Sequence, residues 1–541
     1  MIRTGILTLA ALAAAGPLAG QGAIQGEGPA PVPLYDKLGA HTYPVTTEVP
    51  LAQRYFDQGL RLLYGFNHAE AVRAFLEGER LDPSCAMCAW GAALALGPNI
   101  NAGMDAEAGR LAYQAVRRAL AGADGVSPRE RALIQALAER YAADTAAPRA
   151  GLDSLYAGAM KGVAARFPDD SEIQVLFVDA LMNLSPWNYW TADGKPRPDT
   201  PVILERLERV LASNRDHPGA CHLFIHAVEA NEPTLAVPCA ERLAALMPGA
   251  GHIVHMPGHI YVRVGRYLEA IEANRHAVHA DASYLEGPAA ARKGIYAQGY
   301  YPHNHHFMSF AAAMAGASAT AIDGARHAAR QLGPELVRTT PWLEAVTPIV
   351  WQTLVTFGRW NEVLAEPLPP ADLRYTTGMA YYARGIAFAA HRRWAEAAAS
   401  LDTVRAVAAA FPAGENGTAL KIAVEALTGE IALRRGWISA AINAFERAVA
   451  LEDGLAYTEP PTWYYPMRHS LGKALLAAKR YADAERVYEE DLARFPENGW
   501  SLHGLVSALD GQRKSEQARV ARERLQRAWA GADVVLTGSR F

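Results

Sequence analysis

The stretch YFDQGLRLLYGFNHAEAVRAFLEGERLDP, residues 55–83, decides the fold. We number Tyr55 as position 4 of a repeat. Bulky residues then stand at positions 4 and 24 (Tyr55 and Phe75), small residues at 8, 20 and 27 (Gly59, Ala71 and Gly78), and proline at 32 (Pro83). Small residues at positions 8 and 20 allow two antiparallel helices to approach closely, and bulky residues fill the gap to a neighbouring pair. Proline then ends the second helix. The stretch therefore predicts a helical hairpin.

The same spacing recurs further along the chain, in the sets Gly258/Ala270, Gly385/Ala397/Leu401, Gly429/Ala441/Phe445/Ala448 and Gly472/Ala484/Tyr488/Pro496. This pattern resembles the tetratricopeptide repeat, a helix–turn–helix of about 34 residues. Weaker hairpins fit residues 84–119, 127–168, 171–214, 217–248, 302–335, 342–366 and 498–530. We predict an all-α, tetratricopeptide-like α-solenoid of about twelve helical hairpins, with a concave groove lined by the first helix of each pair.

The N-terminus has the three-part layout of a secretory signal, with Arg3, an Ala/Leu-rich core and small residues. We assign residues 1–23 to a signal peptide and residues 24–50 to a flexible tether. The mature protein is therefore expected to be periplasmic or secreted, where disulfides are permitted.

The repeats divide into N-terminal hairpins at 51–168, a central His-rich unit at 169–335 and C-terminal hairpins at 336–541. Two non-repeat segments, 185–200 and 282–301, interrupt the central unit. Insertions in repeat proteins fall on loops, often on the binding face. The aromatic residues of the first segment either cover the groove as a lid or pack across a gap.

Composition excludes several classes of protein. The 541 residues are half hydrophobic and carry 52 Lys+Arg against 56 Asp+Glu, with no basic block. This balance argues against a nucleic-acid surface. No long apolar stretch follows the N-terminus, so we expect no membrane span after signal removal.

Histidines are concentrated in one part of the chain. Of the 17 in the sequence, eleven lie within residues 217–306, where even spreading would give about 2.8. Counted from Gly258 as position 8, His252, His255 and His259 fall at positions 2, 5 and 9 of a first helix. The resemblance to tetratricopeptide proteins implies that positions 2, 5, 9, 12 and 13 face the groove.

Neighbouring hairpins repeat this placement. His303 and His306 fall at positions 2 and 5 of the next hairpin, whereas His222, His226 and Glu229 fall at positions 6, 10 and 13 of the preceding one. Packed helices lie about 8–10 Å apart, and imidazole suits Zn and Cu equally well. We therefore predict a Zn or Cu site whose ligands are drawn from His222, His226, His252, His255, His259, His303 and His306.

Other polar residues accompany the histidines. Glu229 is the best candidate for a catalytic base or a further ligand, and Arg263, at position 13, could hold a carboxylate. Trp187 and Trp190 are the candidate lid residues. Two alternatives stay open for the histidines, a polar peptide-binding groove without metal and a set of structural hydrogen bonds.

The four cysteines form two close pairs. Cys221 and Cys239 occupy positions 5 and 23 of one hairpin, where the helices face each other, so either a disulfide or two buried thiols fits. Cys85 and Cys88 form a CxxC sequence for which a redox pair, a metal pair and buried small residues all remain open, and we favour the last.

The segments DALMNLSPWNYW (179–190), HLFIHAVEA (222–230), GHIVHMPGHIYVRVGRYLEAIEAN (251–274) and YYPHNHHF (300–307) resemble a group of secreted bacterial tetratricopeptide proteins. The resemblance implies that these segments form one unit, and it implies no reaction. Our hypothesis is a groove that binds a transition metal together with a peptide or small polar ligand, with catalysis left open. The alternatives are a metal-free scaffold for protein partners and assembly into an envelope complex through the C-terminal repeats 378–530.

Overall fold

A computed structural model of the protein describes residues 32–286 and 294–541. Within them the chain forms two compact units. The N-terminal unit continues to Ile260 and includes His276–Tyr301, and the C-terminal unit comprises Tyr261–Arg275 and Pro302–Phe541. These boundaries differ from the three repeat segments expected from sequence. The signal peptide and the first part of the tether lie outside the described residues.

The α-helices, numbered in chain order, are α1 Pro50–Tyr64, α2 His68–Leu81, α3 Ala86–Leu96, α4 Ala106–Ala121, α5 Pro128–Ala138, α6 Arg149–Arg166, α7 Ser171–Met182, α8 Thr200–Ser213, α9 Pro218–Val228, α10 Val237–Leu246, α11 Gly251–His255, α12 Pro257–Arg263, α13 Tyr267–Leu285, α14 Tyr301–Met314, α15 Ser318–Gln331, α16 Pro334–Thr339, α17 Ile349–Thr356, α18 Trp360–Ala365, α19 Arg374–Ala390, α20 Trp394–Ala410, α21 Glu415–Arg434, α22 Ile438–Glu452, α23 Met467–Ala477, α24 Tyr481–Arg494, α25 Gly499–Gly511 and α26 Ser515–Ala528. Short 3-10 helices cover Ala123–Gly125, Pro233–Ala236 and Pro341–Ala345, and Tyr296–Tyr300 is a π-helix.

The predicted all-α, tetratricopeptide-like fold class is confirmed. Consecutive helices pair as hairpins, among them α1 with α2, α3 with α4, α19 with α20 and α21 with α22. In the part of the chain that the structure describes, extended pairing is limited to isolated bridges such as Trp190 with Pro196 in the first insertion. None of the described helices is both long and apolar enough to span a bilayer.

Glycines at position 8 create the close packing that the sequence pattern predicts. The Phe75 ring, at position 24, lies between Gly59 of its own hairpin and Gly91 of the next, where a Cβ atom would stand 2.7 and 2.4 Å from the ring. The ring of Tyr488 fills the same role against Gly472. At these two places one bulky side chain joins a hairpin to its successor, and a methyl group at the glycine would push the ring away.

The hairpin turn imposes a left-handed backbone at position 15 of the repeat. In the five hairpins that carry the repeat spacing most clearly, the residue at this position has a positive φ: Phe66 (54°), Gly265 (80°), Arg392 (59°), Gly436 (81°) and Lys479 (59°). This conformation suits glycine and costs other residues about 1–2 kcal/mol. Phe66 is the only aromatic residue among these five, and the turn itself gives no reason for an aromatic ring at this position.

Residues 32–49, which the sequence assigns to the flexible tether, pack on the first hairpin. Leu38 and Tyr43 are buried. The side-chain oxygen of Gln58 accepts a hydrogen bond from the N–H of Tyr35, and its amide group donates one to the Pro33 carbonyl. This part of the segment is thus fixed by backbone hydrogen bonding and apolar burial and does not form a free linker.

Candidate metal centre

Five of the predicted histidines meet in the N-terminal unit. Helix α9 carries His222 and His226, α11 carries His252 and His255, and α12 carries His259. All five side chains are at most 3% exposed. The sequence predicts an open groove lined by these rings. The structure places them inside the unit because α1 of the first hairpin packs against α9.

His222 and His226 face one another across one helical turn. Their Nε2 atoms lie 3.0 Å apart. The Nδ1 atom of His222 lies 2.6 Å from the Tyr64 carbonyl oxygen, and the Nδ1 atom of His226 lies 2.9 Å from a Glu229 carboxylate oxygen. Because both oxygens can only accept, each Nδ1 carries a hydrogen and donates it.

This hydrogen bonding leaves the two Nε2 atoms with lone pairs directed at each other. Burial lowers the pKa of His222 well below its usual range, and burial also lowers the pKa of His226. Both rings are therefore neutral near pH 7, and neither supplies a proton for the gap between them. Two opposed nitrogen lone pairs at hydrogen-bond distance repel, and a cation coordinated by both removes that repulsion.

His252 provides a third nitrogen. Its ring centroid lies 5.0 Å from that of His222, and neither ring nitrogen has a hydrogen-bond partner among the described residues. Burial lowers the pKa of His252 well below its usual range, so this ring too is neutral. Leaving a buried polar group without a partner costs about 1–3 kcal/mol. A metal ligand bond would satisfy it.

The three rings fit a transition-metal ion. One ligand nitrogen from each of His222, His226 and His252 lies within 4.8 Å of the other two. Tetrahedral coordination at 2.0–2.1 Å places ligand nitrogens about 3.4 Å apart. At 3.0 Å the two Nε2 atoms on α9 are slightly closer than that spacing, and the nitrogen of His252 lies within 4.8 Å of both.

Glu229 connects this trio to the other two histidines. One carboxylate oxygen accepts from Nδ1 of His226, and the other accepts from Nδ1 of His259 at 2.5 Å. Nε2 of His259 in turn lies 2.7 Å from Nε2 of His255. Burial acts to raise the pKa of Glu229, but the electrostatic interaction with His259 and the two hydrogen bonds outweigh it and lower that pKa to about 2. Both carboxylate oxygens of Glu229 thus lie against imidazoles, an arrangement that can orient the two rings, and the base or ligand role expected from sequence stays a prediction.

Aromatic rings enclose the trio. The Phe66 ring centroid lies 4.4 Å from that of His222 and 5.3 Å from that of His252. Trp187 meets His226 edge-on at 4.9 Å, and Tyr300 lies 4.4 Å from His252. These side chains exclude water and lower the local dielectric, which strengthens metal–imidazole interactions.

Asn101 links two of these aromatic residues. Its side-chain oxygen accepts from the Trp187 indole N–H at 3.1 Å, and its amide donates to the Tyr300 hydroxyl at 3.1 Å. Trp190 does not contact the rings directly. Its indole N–H donates to the Ala227 carbonyl at 2.7 Å and so fixes α9. Of the two predicted lid residues, Trp187 borders the trio and Trp190 supports the helix behind it.

Sequence reasoning missed Phe66, Tyr64, Asn101 and Tyr300. Phe66 alone carried a signal, since it stands at position 15, where the aligned repeats have glycine or a long cationic side chain. A phenylalanine retained in a left-handed turn indicates that its ring is needed nearby. Tyr300 opens the quoted segment YYPHNHHF but had no assigned role, and Tyr64 and Asn101 come from other hairpins, with no distinguishing pattern.

A second group, His41, Glu172 and His217, also places three possible ligand atoms within 4.8 Å. Here Nδ1 of His217 accepts from the Ala220 N–H at 3.2 Å as the N-cap of α9. A neutral His217 must therefore carry its hydrogen on Nε2, which lies 3.4 Å from Glu172. A metal binds an imidazole nitrogen that carries no hydrogen, so Nε2 of His217 is not available as a ligand, and this cluster fits contacts between neutral His217 and the Glu172 carboxylate instead.

The other contacts of Glu172 agree with a carboxylate held by hydrogen bonds. His41 lies 2.9 Å from one carboxylate oxygen, and the Tyr64 hydroxyl donates to the other. Burial acts to raise the pKa of Glu172, but hydrogen bonds from His217 and His41 and the electrostatic interaction with these rings hold that pKa below its usual range. Glu172 is thus a carboxylate whose lone pairs are already used.

Three predicted site residues belong to the C-terminal unit. His303 packs against Phe307, and the His306 ring stacks on Tyr464 at 6.5 Å. Arg263 was expected to hold a ligand carboxylate. Its guanidinium lies 4.0 Å from the Glu459 carboxylate of the same unit and donates to the Arg494 carbonyl. A metal role for His303 and His306 remains a prediction.

All four cysteines are in disulfides. Cys221 pairs with Cys239, which joins α9 to α10 and fixes the helix that carries His222 and His226. Cys85 pairs with Cys88 at the start of α3, where both side chains are buried. The CxxC pair therefore differs from the buried free thiols favoured from sequence.

No protein-family model matches the chain, and no curated protein matches it. Among solved structures, the human IFIT1 dimer with m7Gppp-AAAA matches at 12% identity and a TM-score of 0.29, covering 89% of this chain and 91% of that chain. Yeast Tom70 matches at 10% identity and a TM-score of 0.28, covering 89% and 92%. The fold assignment rests on the helices and repeat contacts of the chain itself.

Proposed function

We propose that the N-terminal unit binds a transition-metal ion through Nε2 of His222, Nε2 of His226 and a ring nitrogen of His252. The observation that carries this proposal is the 3.0 Å approach of two Nε2 atoms whose rings are both protonated at Nδ1. A structural hydrogen-bond role would instead place a hydrogen between them.

The donor set favours Zn or Cu. Three neutral imidazoles and no thiolate suit either ion. Three protein ligands leave a fourth position, which in zinc sites holds water or a substrate group. We propose that a small polar ligand or a peptide group takes this position, and that bound metal supplies a Lewis acid or redox centre there.

The chain's own residues prepare the rings for this ion. The Tyr64 carbonyl and the Glu229 carboxylate hold His222 and His226 in the tautomer that exposes Nε2. Partners of this kind fix the orientation of the ring and raise its basicity as a ligand. Phe66 and Trp187 keep bulk water from the opposite side.

Metal analysis of the purified full chain tests the proposal. We expect about one Zn or Cu per chain after dialysis, an increase in melting temperature on metal addition, and an affinity at least a hundredfold lower in His222→Gln and His252→Gln. His276→Gln, which changes an exposed histidine on α13, is the matched control and should bind as the wild type does. A chain that stays metal-free, with a melting temperature unchanged by added Zn or Cu, would contradict it.

The second candidate is a metal-free scaffold for protein partners. The helical hairpins support it, since arrays of this kind offer extended surfaces for peptides and proteins. For this candidate we expect a chain that stays metal-free and whose melting temperature does not change when Zn or Cu is added.

We also propose that the protein is exported to the periplasm or secreted. The signal-like N-terminus supports export, and so do the two disulfides, because cytosolic thiols are kept reduced. Fractionation of expressing cells, with intact-mass analysis of the processed chain, tests this.

A further inference from the structure

A segment of the chain lies in the helical groove of the C-terminal unit. Ser539 and Arg540 are 1% and 6% exposed, whereas the residues before them run along the surface and Val535 is 83% exposed. Asp533 is held as well, since its carboxylate accepts from the N–H groups of Ser318 and Ala319, so the anchored residues 539–541 are joined to it through residues 534–538.

The anchored residues lie among side chains at the repeat positions expected to face the groove. Counted from Gly385 and Gly429 as position 8, the lining side chains are Tyr382 and Ile386 at positions 5 and 9 of α19, and Ala426, Glu430 and Arg434 at positions 5, 9 and 13 of α21. Tyr465, just before α23, and Ser470, in its first turn, complete the lining. Three successive first helices therefore contact one short segment.

Each anchored residue has its own partner. The Ser539 hydroxyl accepts from the Tyr488 hydroxyl at 2.7 Å and donates to the His469 carbonyl at 2.9 Å. The Arg540 guanidinium lies 3.5 Å from the centre of the Tyr465 ring, a cation–π contact. Phe541 packs edge-on against Trp500 at 5.6 Å.

The groove also binds the backbone of the segment and leaves little empty space beside it. Arg434 donates to the main-chain oxygen of Phe541 at 3.1 Å, and the same guanidinium is ion-paired with Glu430. The cavity left beside Arg540 and Phe541 measures about 10 Å³. That is at the lower limit for one water molecule, so the segment fills the groove.

We infer that this groove is a peptide-binding site, occupied here by the chain's own residues 539–541. Its ligand class is a peptide that presents a hydroxyl, a guanidinium and an aromatic ring in that order. A partner peptide of this chemistry binds by displacing residues 539–541. Because these residues stay attached to the chain, they compete with the partner peptide for the groove. This inference goes beyond the metal proposal and uses none of its residues.

The test uses the full chain carrying Arg540→Glu, which places a carboxylate beside Glu430 and expels the segment. The probe is a fluorescent peptide of sequence ADVVLTGSRF, residues 532–541, and binding is followed by anisotropy. We expect the variant to bind the probe at least tenfold more tightly than the wild type, because a tethered segment competes at about millimolar effective concentration. Arg527→Glu, which reverses an exposed charge on α26, should behave as the wild type.

Two controls make the outcome decisive. A probe with glutamate in place of its arginine should not bind, and Tyr465→Ala combined with Arg540→Glu should weaken binding at least tenfold. A folded Arg540→Glu chain that fails to bind the probe overturns the inference. If that variant does not fold, a protease site placed at residues 535–537 of the wild type allows the cleaved segment to be challenged with the probe. Exchange then supports the inference, and retention of the segment overturns it.

Discussion

Nε2 of His222 and Nε2 of His226 face each other at 3.0 Å, while the Nδ1 atoms of both rings donate to oxygens. A lone His pair at this spacing on a helix is an ordinary surface feature. Here the Tyr64 carbonyl and the Glu229 carboxylate hold the ring hydrogens on Nδ1. Neither Nε2 atom then has a hydrogen to donate to the other. The metal proposal depends on this relationship.

Glu229→Gln should weaken metal binding by about 10–100-fold. A carboxylate accepts from both His226 and His259, whereas an amide presents an acceptor to one of them and a donor to the other. Chelator competition measures the affinity. Glu232→Gln makes the same charge change at an exposed position nearby and should have no effect. Equal losses in the two variants would show that only net charge matters.

Phe66→Asn should speed metal exchange about tenfold. Asparagine tolerates the left-handed turn but removes the ring that covers His222 and His252. Lys479→Asn alters the same repeat position at an exposed site in the C-terminal unit and serves as the control. Metal release into excess chelator gives the rate. An unchanged rate in Phe66→Asn would deny the ring a sealing role.

Replacing Cys221 and Cys239 together by serine should lower the free energy of unfolding by about 3 kcal/mol, as expected for a disulfide spanning a loop of this size. The residues are 18 apart in sequence, whereas Cys85 and Cys88 are 3 apart, so the matching double variant there should lose less. Denaturant titrations under oxidising conditions measure both. A larger loss at the CxxC pair would contradict the loop argument.

Stability should depend on pH through Glu452. Burial chiefly, together with the Asp491 carboxyl, raises the pKa of Glu452 to about 8, against the hydrogen bond from the Met467 N–H. Between about pH 5 and 8 the unfolded chain releases a proton that the folded chain retains, so the free energy of unfolding falls as pH rises.

Glu452→Gln keeps an acceptor for the Met467 N–H and should flatten this dependence by about 1 kcal/mol per pH unit. Denaturant titrations at pH 5, 6, 7 and 8 measure it. Glu446→Gln changes an exposed residue on the same helix, α22, and should leave the slope as it is. Parallel slopes for wild type and Glu452→Gln would count against a retained proton.

The repeat spacing alone predicted the helical hairpins. The residues at positions 20 and 24, which are 12 and 16 residues after position 8, pack against it within the same hairpin. The spacing also placed His252, His255 and His259 on one helical face, which the consecutive helices α11 and α12 carry. It could not show that these rings are enclosed, since enclosure depends on Phe66 and Trp187, which lie in other hairpins.

Glu229 shows the same limit at the level of chemistry. Its place beside His226 on α9 follows from sequence, but its second partner, His259, is 30 residues away. A carboxylate with one imidazole neighbour is a candidate base, whereas one held by two imidazoles positions them.

The sequence by itself determined the local structure of this protein: the helices, their pairing, the closely packed glycines and the concentration of histidines in a few neighbouring hairpins. Local spacing is sufficient for these because each depends on residues within one or two repeats. Only the tertiary structure decided which nitrogens carry hydrogens, which rings are sealed from water and which groove the chain fills itself, because those properties depend on contacts between repeats far apart in the chain.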